Sequence, residues 1–367
     1  MSHRRYIYHL HIKMINAIIF TQENFLEGIM PDIRIRQIAT NALSCEPLIV
    51  RCANGELLCV CQCGGTYEPA PENRVYAFHS ADNGETWSKK ESIYPEDGQA
   101  VYCTELTVFG DEISAYLTVH SGRFIDWKCF VMKSFDNGYT WTNYGSTPHF
   151  PEYTFIRPTL VKKNGDVLTP YQFYPVTKQE HDRLKFVEDK PNKFIGTNTK
   201  TPYCESGVLY STDGAKTYER YMACQMDMSD GWIWSEPTIA ELSDGSISML
   251  MRKNGTGWLY RCDSADGGKS WGEYYRTDIP NPSNKPRLIP IDNGRIALFH
   301  TPNGKQGVRS PYEMWISDDD MKSWSEKIRL TDFPGAFSYT DGFYEDGHVH
   351  LVIEHNRHTI LYFDITL

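Results

Sequence analysis

One eight-residue pattern recurs five times along this 367-residue chain and restricts the available folds more than any other feature. Ser80-Ala-Asp82-Asn-Gly84-Glu-Thr-Trp87 returns as Ser134-Phe-Asp136-Asn-Gly138-Tyr-Thr-Trp141 and as Ser264-Ala-Asp266-Gly-Gly268-Lys-Ser-Trp271. Degenerate copies begin at Ser211 and Ser317, so successive starts are separated by 54, 77, 53 and 53 residues. A recurring period of this length is the signature of a repeat architecture. The pattern S-x-D-x-G-x-x-W reads as a turn. Ser and Asp side chains satisfy turn amides, Gly supplies a permissive backbone position, and Trp fills the apolar gap beside it.

A second unit precedes each box: an apolar strand, an Asn/Asp-Gly turn and another apolar strand. The copies start at Glu46-Pro, Glu105-Leu, Arg157-Pro, Glu236-Pro, Arg287-Leu and Asp341-Gly, and turn near Gly55, Gly110, Gly165, Gly245, Gly294 and Gly347. Each is a β-hairpin signal. Six hairpins, five followed by a box, predict an all-β fold: a six-bladed β-propeller of four-stranded antiparallel blades. The expected organisation is an N-terminal extension over 1–29, poorly ordered, and a single propeller over 30–367. The sixth blade lacks a box, and residues 32–39 are expected to supply its outer strand and close the ring.

Composition narrows the function. Lys+Arg number 37 against 47 Asp+Glu, a net charge of −10, which argues against nucleic acid or an anionic membrane as partner. No apolar run approaches the ~20 residues of a membrane helix. The apolar patch Met14–Phe20 follows His11 and Lys13 and no cleavage site succeeds it, so a cytoplasmic location is expected. The ten cysteines are expected to be free thiols. Cys59, Cys61 and Cys63 alternate on one strand face without a second zinc-type pair. No metal and no cofactor are expected, because the boxes also lack the spacing of calcium loops. Aromatics at 13% offer stacking surfaces of the kind sugars use.

Strand order places the candidate residues. In a four-stranded blade the start of the inner strand, the end of the second and the start of the third meet at one face, and the boxes lie at the other. Glu46, Glu105, Arg157, Glu236, Arg287, Tyr339 and Asp341 open inner strands. His120, Arg123, Tyr171, Arg252, His300, Arg309, Glu354 and Arg357 fall at the same rim. Convergent arginines suit a carboxylate-bearing ligand and carboxylates supply acid, base or nucleophile. Val176–Lys200, the surplus in the long interval, is expected to form a lid over that rim.

Five boxes in phase with six hairpins resemble the sialidase (neuraminidase) superfamily and its bacterial neuraminidase repeats, over residues 31–367. The resemblance implies a glycoside hydrolase, exo-acting on a terminal anionic sugar such as sialic acid, with an oligosaccharide or glycoconjugate as partner. It implies that Tyr339, in Phe337-Ser-Tyr339-Thr-Asp341, attacks the anomeric carbon with Glu236 accepting its proton. Arg252, sixteen residues after Glu236, and Arg309, in Gly307-Val-Arg-Ser-Pro, would grip the substrate carboxylate. Arg157, Glu46, Glu105, Arg287, Asp341 and Glu354 complete the expected binding set.

Two segments depart from the family. Its first blade opens with Arg-Ile-Pro, where this chain has Cys45-Glu46-Pro47. Its acid/base Asp sits in the loop after the first hairpin, where this chain offers only Glu68 and Glu72. Glu68 is taken as the expected acid/base. Three alternatives stay open. One is a two-carboxylate glycosidase of the exo-arabinanase type, with Glu236 paired to Glu46, Glu105 or Glu68. The others are a polysaccharide lyase and a non-catalytic carbohydrate-binding propeller.

Overall fold

A computed structural model describes residues 31–95, 97–121, 127–145, 153–174, 203–228 and 233–367, with the backbone alone of 185–187 and 190–195. The expected extension over 1–29, Arg123 and most of the expected lid lie outside the described residues. The lid's described part is a two-stranded ladder, Lys185–Val187 against Lys190–Ile195.

Apart from that ladder, the described strands form six antiparallel sheets, as the repeats predict. Blade one runs Ser44–Arg51, Leu57–Cys63, Arg74–Ser80, Glu91–Ser92, and blade two Ala100–Phe109, Glu112–His120, Lys128–Ser134, Thr142–Asn143. Blade three has a divided inner strand, Thr154–Ile156 and Leu160–Val161, then Val167–Phe173, Tyr203–Ser211 and Glu219–Asp227. The break falls at Arg157-Pro158-Thr159, where proline has no amide to give the ladder. Blade four is Thr238–Glu241, Ile247–Arg252, Trp258–Ser264, Tyr275–Pro280, and blade five Arg287–Pro290, Ile296–His300, Glu313–Ser317, Glu326–Arg329. Blade six has Phe337–Glu345, His348–His355 and Thr359–Thr366, and takes its outer strand from Asp32–Thr40. The ring is therefore closed by the chain's two ends. The one helical element among the described residues is a 3₁₀ turn at Asp292–Gly294.

The core lies between adjacent blades. Leu48, Leu58 and Val60 of blade one pack with Leu106, Ala115 and Met132 of blade two, and Phe299 and Met314 of blade five with Phe337 and Leu351 of blade six. All ten cysteines are free and buried; Cys59, Cys61 and Cys63 share a cluster with Ile360 and Tyr362 of blade six.

The boxes are turns built as their residues dictate. Asp82 accepts from the Ser80 hydroxyl and the Thr86 amide at 2.8 Å each, Gly84 N donates to Ser80 Oγ at 2.8 Å, and Trp87 Nε1 caps the Gly84 carbonyl. A Cβ on Gly84 would stand 2.1 Å from the Tyr362 ring of the next blade, so this position admits only glycine.

Inner strands carry the detail that governs the site. The ladders skip residues between Cys45 and Leu48, Cys103 and Glu105, and Ser338 and Asp341. Each skip is a bulge that leaves residues unpaired at the mouth of the strand and shifts everything after it.

Candidate active site

At the inner-strand entries three side chains stand on left-handed backbone: Glu46 (φ 49°) and Tyr339 (φ 48°) within the bulges of blades one and six, and Glu236 (φ 41°) just before the inner strand of blade four. Such conformations cost a non-glycine residue ~1–3 kcal/mol each and concentrate where function demands them. All three line one cavity of about 240 Å³, at the rim face. That is below the roughly 300–1,000 Å³ of pockets for drug-sized ligands, and it suits a single sugar ring.

Glu236 is fixed from several sides. Its amide donates to Gln172 Oε1 at 2.7 Å, and its carboxylate receives Arg252 Nη2 at 3.1 Å and lies 2.9 Å from Arg252 Nε. Arg157 Nη2 stands 3.8 Å from Glu236 Oε1. Arg157 is buried, and its Nε and Nη1 find no acceptor among the described residues. A buried guanidinium with spare donors is costly unless an anion arrives.

Arg252, Arg309 and Arg357 converge on Tyr339, their guanidinium carbons 5.9, 5.3 and 5.8 Å from its ring centre. Burial and the nearby Glu236 raise the Tyr339 phenol above its ordinary value, against the opposing pull of Arg252 and Arg309. The phenol is therefore neutral at rest. The carbonyl of Ser283 orients two of the arginines, accepting Arg252 Nη1 at 2.7 Å and Arg309 Nη2 at 3.3 Å. Phe155 and Trp234 supply an apolar wall to the same cavity.

Arg357, a rim residue with no expected role, is part of the site. It follows Glu354 by three positions, in the turn after the second strand of blade six, and ion-pairs with Glu68. Glu354 is fully buried. It accepts from Ser338 Oγ at 2.7 Å and from the Glu46 amide at 3.3 Å, and lies 3.9 Å from Arg357 Nη1. Blade six thus supplies an arginine to a site whose first blade has Glu46 in place of one.

Glu68 turns inward because Asn73 knits its loop, accepting from Ala70 N at 2.8 Å and donating to the carbonyls of Gly64 and Tyr67. Glu72 in the same loop is exposed.

Of the eleven expected site residues, seven line the cavity: Glu46, Glu68, Arg157, Glu236, Arg252, Arg309 and Tyr339. Glu105, Arg287, Asp341 and Glu354 do not. Bulges explain two of these. Glu105 and Asp341 are the first residues to pair after the bulges of their inner strands, opposite Tyr116 and Val352, and Arg287 opens an unbroken ladder opposite Phe299. They form a layer beneath the cavity in which Arg287 Nε meets Asp341 Oδ1 at 2.9 Å and the amides of Ile49 and Thr159 bond Asp341 and Glu105. Burial, with Asp341 alongside, pushes the Glu105 carboxyl up to about 8. His120, Tyr171 and His300 are buried outside the cavity; Tyr171 donates to Glu205 at 2.8 Å, and His300 packs edge-on against Trp315.

Solved structures share this architecture. A Dyadobacter fermentans protein of unknown function superposes with a TM-score of 0.69 at 15% identity, covering 91% of this chain and 99% of its own. A Hadza microbial sialidase gives 0.67 at 16% identity over 89% of this chain, and Trypanosoma rangeli sialidase 0.61 at 14% over 89%. The chain spans 66% and 55% of those two sialidases' lengths. At such identities the likeness is one of fold. A comparison with curated proteins gives no match. The profile of the BNR repeat-like domain matches residues 103–351, more than half of the chain, and the protein belongs to that family.

Proposed function

We propose that this chain is a glycosidase that removes a single terminal sugar carrying a carboxylate, with sialic acid as the leading candidate. The observation that carries this reading is the convergence of Arg252, Arg309 and Arg357 within 6 Å of the Tyr339 ring, beside the buried Glu236. Guanidinium forks bind a planar carboxylate in a way neutral sugars cannot exploit. The unused donors of Arg157 add a fourth basic group to the same cavity. A bound carboxylate held by this clamp sets the anomeric carbon against the Tyr339 hydroxyl.

A neutral phenol is a weak nucleophile and needs a base. Glu236 is that base: set between Arg252 and Arg157, it takes the phenol proton as the Tyr339 oxygen bonds to the anomeric carbon. The glycosyl-tyrosine is then hydrolysed by water with the proton transfers reversed, so configuration is retained. The sialidase-type fold supports the same reading.

The test is hydrolysis of aryl glycosides in parallel: α-sialosides, uronides, and neutral arabinofuranosides and galactosides. Release from the carboxylate-bearing glycosides alone is the expected result. Cleavage of neutral glycosides at equal rates removes the clamp from the argument, and binding without release makes the propeller a lectin.

A further inference from the structure

Cys45-Glu46-Pro47 puts a carboxylate where an anion clamp would want none, yet Glu46 has the same strained entry as Glu236 and Tyr339. Its amide is pinned to Glu354, so the left-handed backbone aims the side chain at the cavity it lines. Glu46 is half-buried, whereas Glu68 is only 7% exposed and bound to Arg357. Of the two first-blade carboxylates, Glu46 is the more accessible and the one without an arginine partner at ion-pair distance among the described residues.

We infer that Glu46, and not Glu68, is the catalytic residue that protonates the departing oxygen. The inference rests on the glycosidase reading above and extends it. The charged groups facing Glu46 are Glu68, Arg157, Glu236 and Lys285, with Glu354 at its amide. Glu68 is paired with Arg357, and Glu236 with Arg252. A third carboxyl beside two arginine-paired ones, itself without such a partner, is the one best placed to carry a proton. Burial and Glu68 push it up to about 8, against Arg157 and Lys285. A neutral Glu46 also does not repel a substrate carboxylate.

The proton inventory closes. As the Tyr339 oxygen bonds to the anomeric carbon, its proton passes to Glu236. The bond from that carbon to the leaving oxygen breaks, its electron pair goes to that oxygen, and the Glu46 proton follows. In the second half the Glu46 anion takes a proton from water, whose oxygen bonds to the anomeric carbon. The tyrosyl bond breaks and Glu236 returns its proton to Tyr339. Both carboxyls end as they began.

The leaving group distinguishes an acid from a positioning residue, because a good leaving group departs unprotonated. Wild type, Glu46→Gln and Glu68→Gln would be assayed for kcat/KM on 4-nitrophenyl and phenyl glycosides of sialic acid and of glucuronic acid. Melting temperatures confirm folding. Glu46→Gln should lose ~10²–10⁴-fold on the phenyl glycoside, the usual worth of general acid catalysis, and far less on the nitrophenyl one. Glu68→Gln should lose equally on both. Leaving-group dependence in Glu68→Gln instead, or uniform loss in Glu46→Gln, overturns the inference and leaves the glycosidase reading standing. A wild type inert on every glycoside overturns both.

Discussion

Ser338 and Glu354 are joined by a 2.7 Å hydrogen bond directly behind Tyr339, and the same hydroxyl receives Arg309 Nη1 at 2.8 Å. Glu354 lies 3.9 Å from Arg357 on its other side. One fully buried carboxylate therefore sets two of the three clamp arginines from outside the cavity. Glu354→Gln keeps the shape and removes the charge. A hydrogen bond to a charged group is worth about 1.5–3 kcal/mol, so KM for an anionic substrate should rise some ten- to hundredfold with kcat changed much less. Steady-state kinetics on the sialoside check this, and an unchanged KM would reduce Glu354 to a packing role.

Glu236 and Arg252 pair within blade four, the first just before the inner strand and the second at the end of the next. The pair braces one blade and does not tie two together. Glu236→Gln should lower kcat by ~10²–10⁴-fold while the protein remains folded. Tyr339→Phe discriminates the nucleophile. A comparable loss fits attack by tyrosine, and a mild one fits direct attack by a carboxylate.

Much of this was legible in advance, and the boundary of legibility has a physical cause. Boxes and Asn/Asp-Gly turns are local chemistry, so blade count and the closing strand followed from the residues. Depth along a strand is another matter. Asp341 lies only two residues beyond Tyr339, yet it sits beneath the cavity because the bulge between Ser338 and Asp341 falls between them. Glu105 lies deeper than its place in the sequence suggests for the same reason, since a bulge carries no residue-type signature here, whereas Arg287 opens an unbulged ladder and pairs with Asp341 at that depth. Arg357 was visible as a rim residue, but its role depends on Glu68 and Glu354, which lie 289 residues and 3 residues away in sequence.

The layer beneath the cavity makes stability depend on pH. The Glu105 carboxyl is raised from 4.5 to about 8, chiefly by burial. In the folded protein it keeps its proton up to that pH, whereas in the unfolded chain it ionises near 4.5. Between those values the unfolded state holds fewer protons, so stability falls as pH rises, and the decline levels off above about 8. Glu105→Gln removes this group's share of the slope. Denaturant midpoints at pH 5 and pH 8 should differ less in the variant than in wild type, and an identical difference would mean that Glu105 titrates normally.

Ring closure offers a test in which the same residues are removed and then returned elsewhere. Asp32–Thr40 pairs along Thr359–Thr366, with Asp32 opposite Thr366. Arg36 reaches Glu85 in the box of blade one at 2.8 Å, joining the last blade to the first. Deleting 32–40 bares a strand whose Ile360, Leu361, Phe363 and Ile365 are buried, and an unpaired apolar edge invites association. The truncated protein should lose its cooperative transition and aggregate. Because Asp32 pairs with Thr366, an Asn-Gly dipeptide replacing Leu367 and followed by residues 32–40 would form an ordinary two-residue hairpin. That rearranged chain should regain a cooperative transition near the wild-type temperature. If the deletion alone melts cooperatively, the ring does not need its closing strand; if the rearranged chain stays unfolded, the nine residues contribute through something other than that ladder.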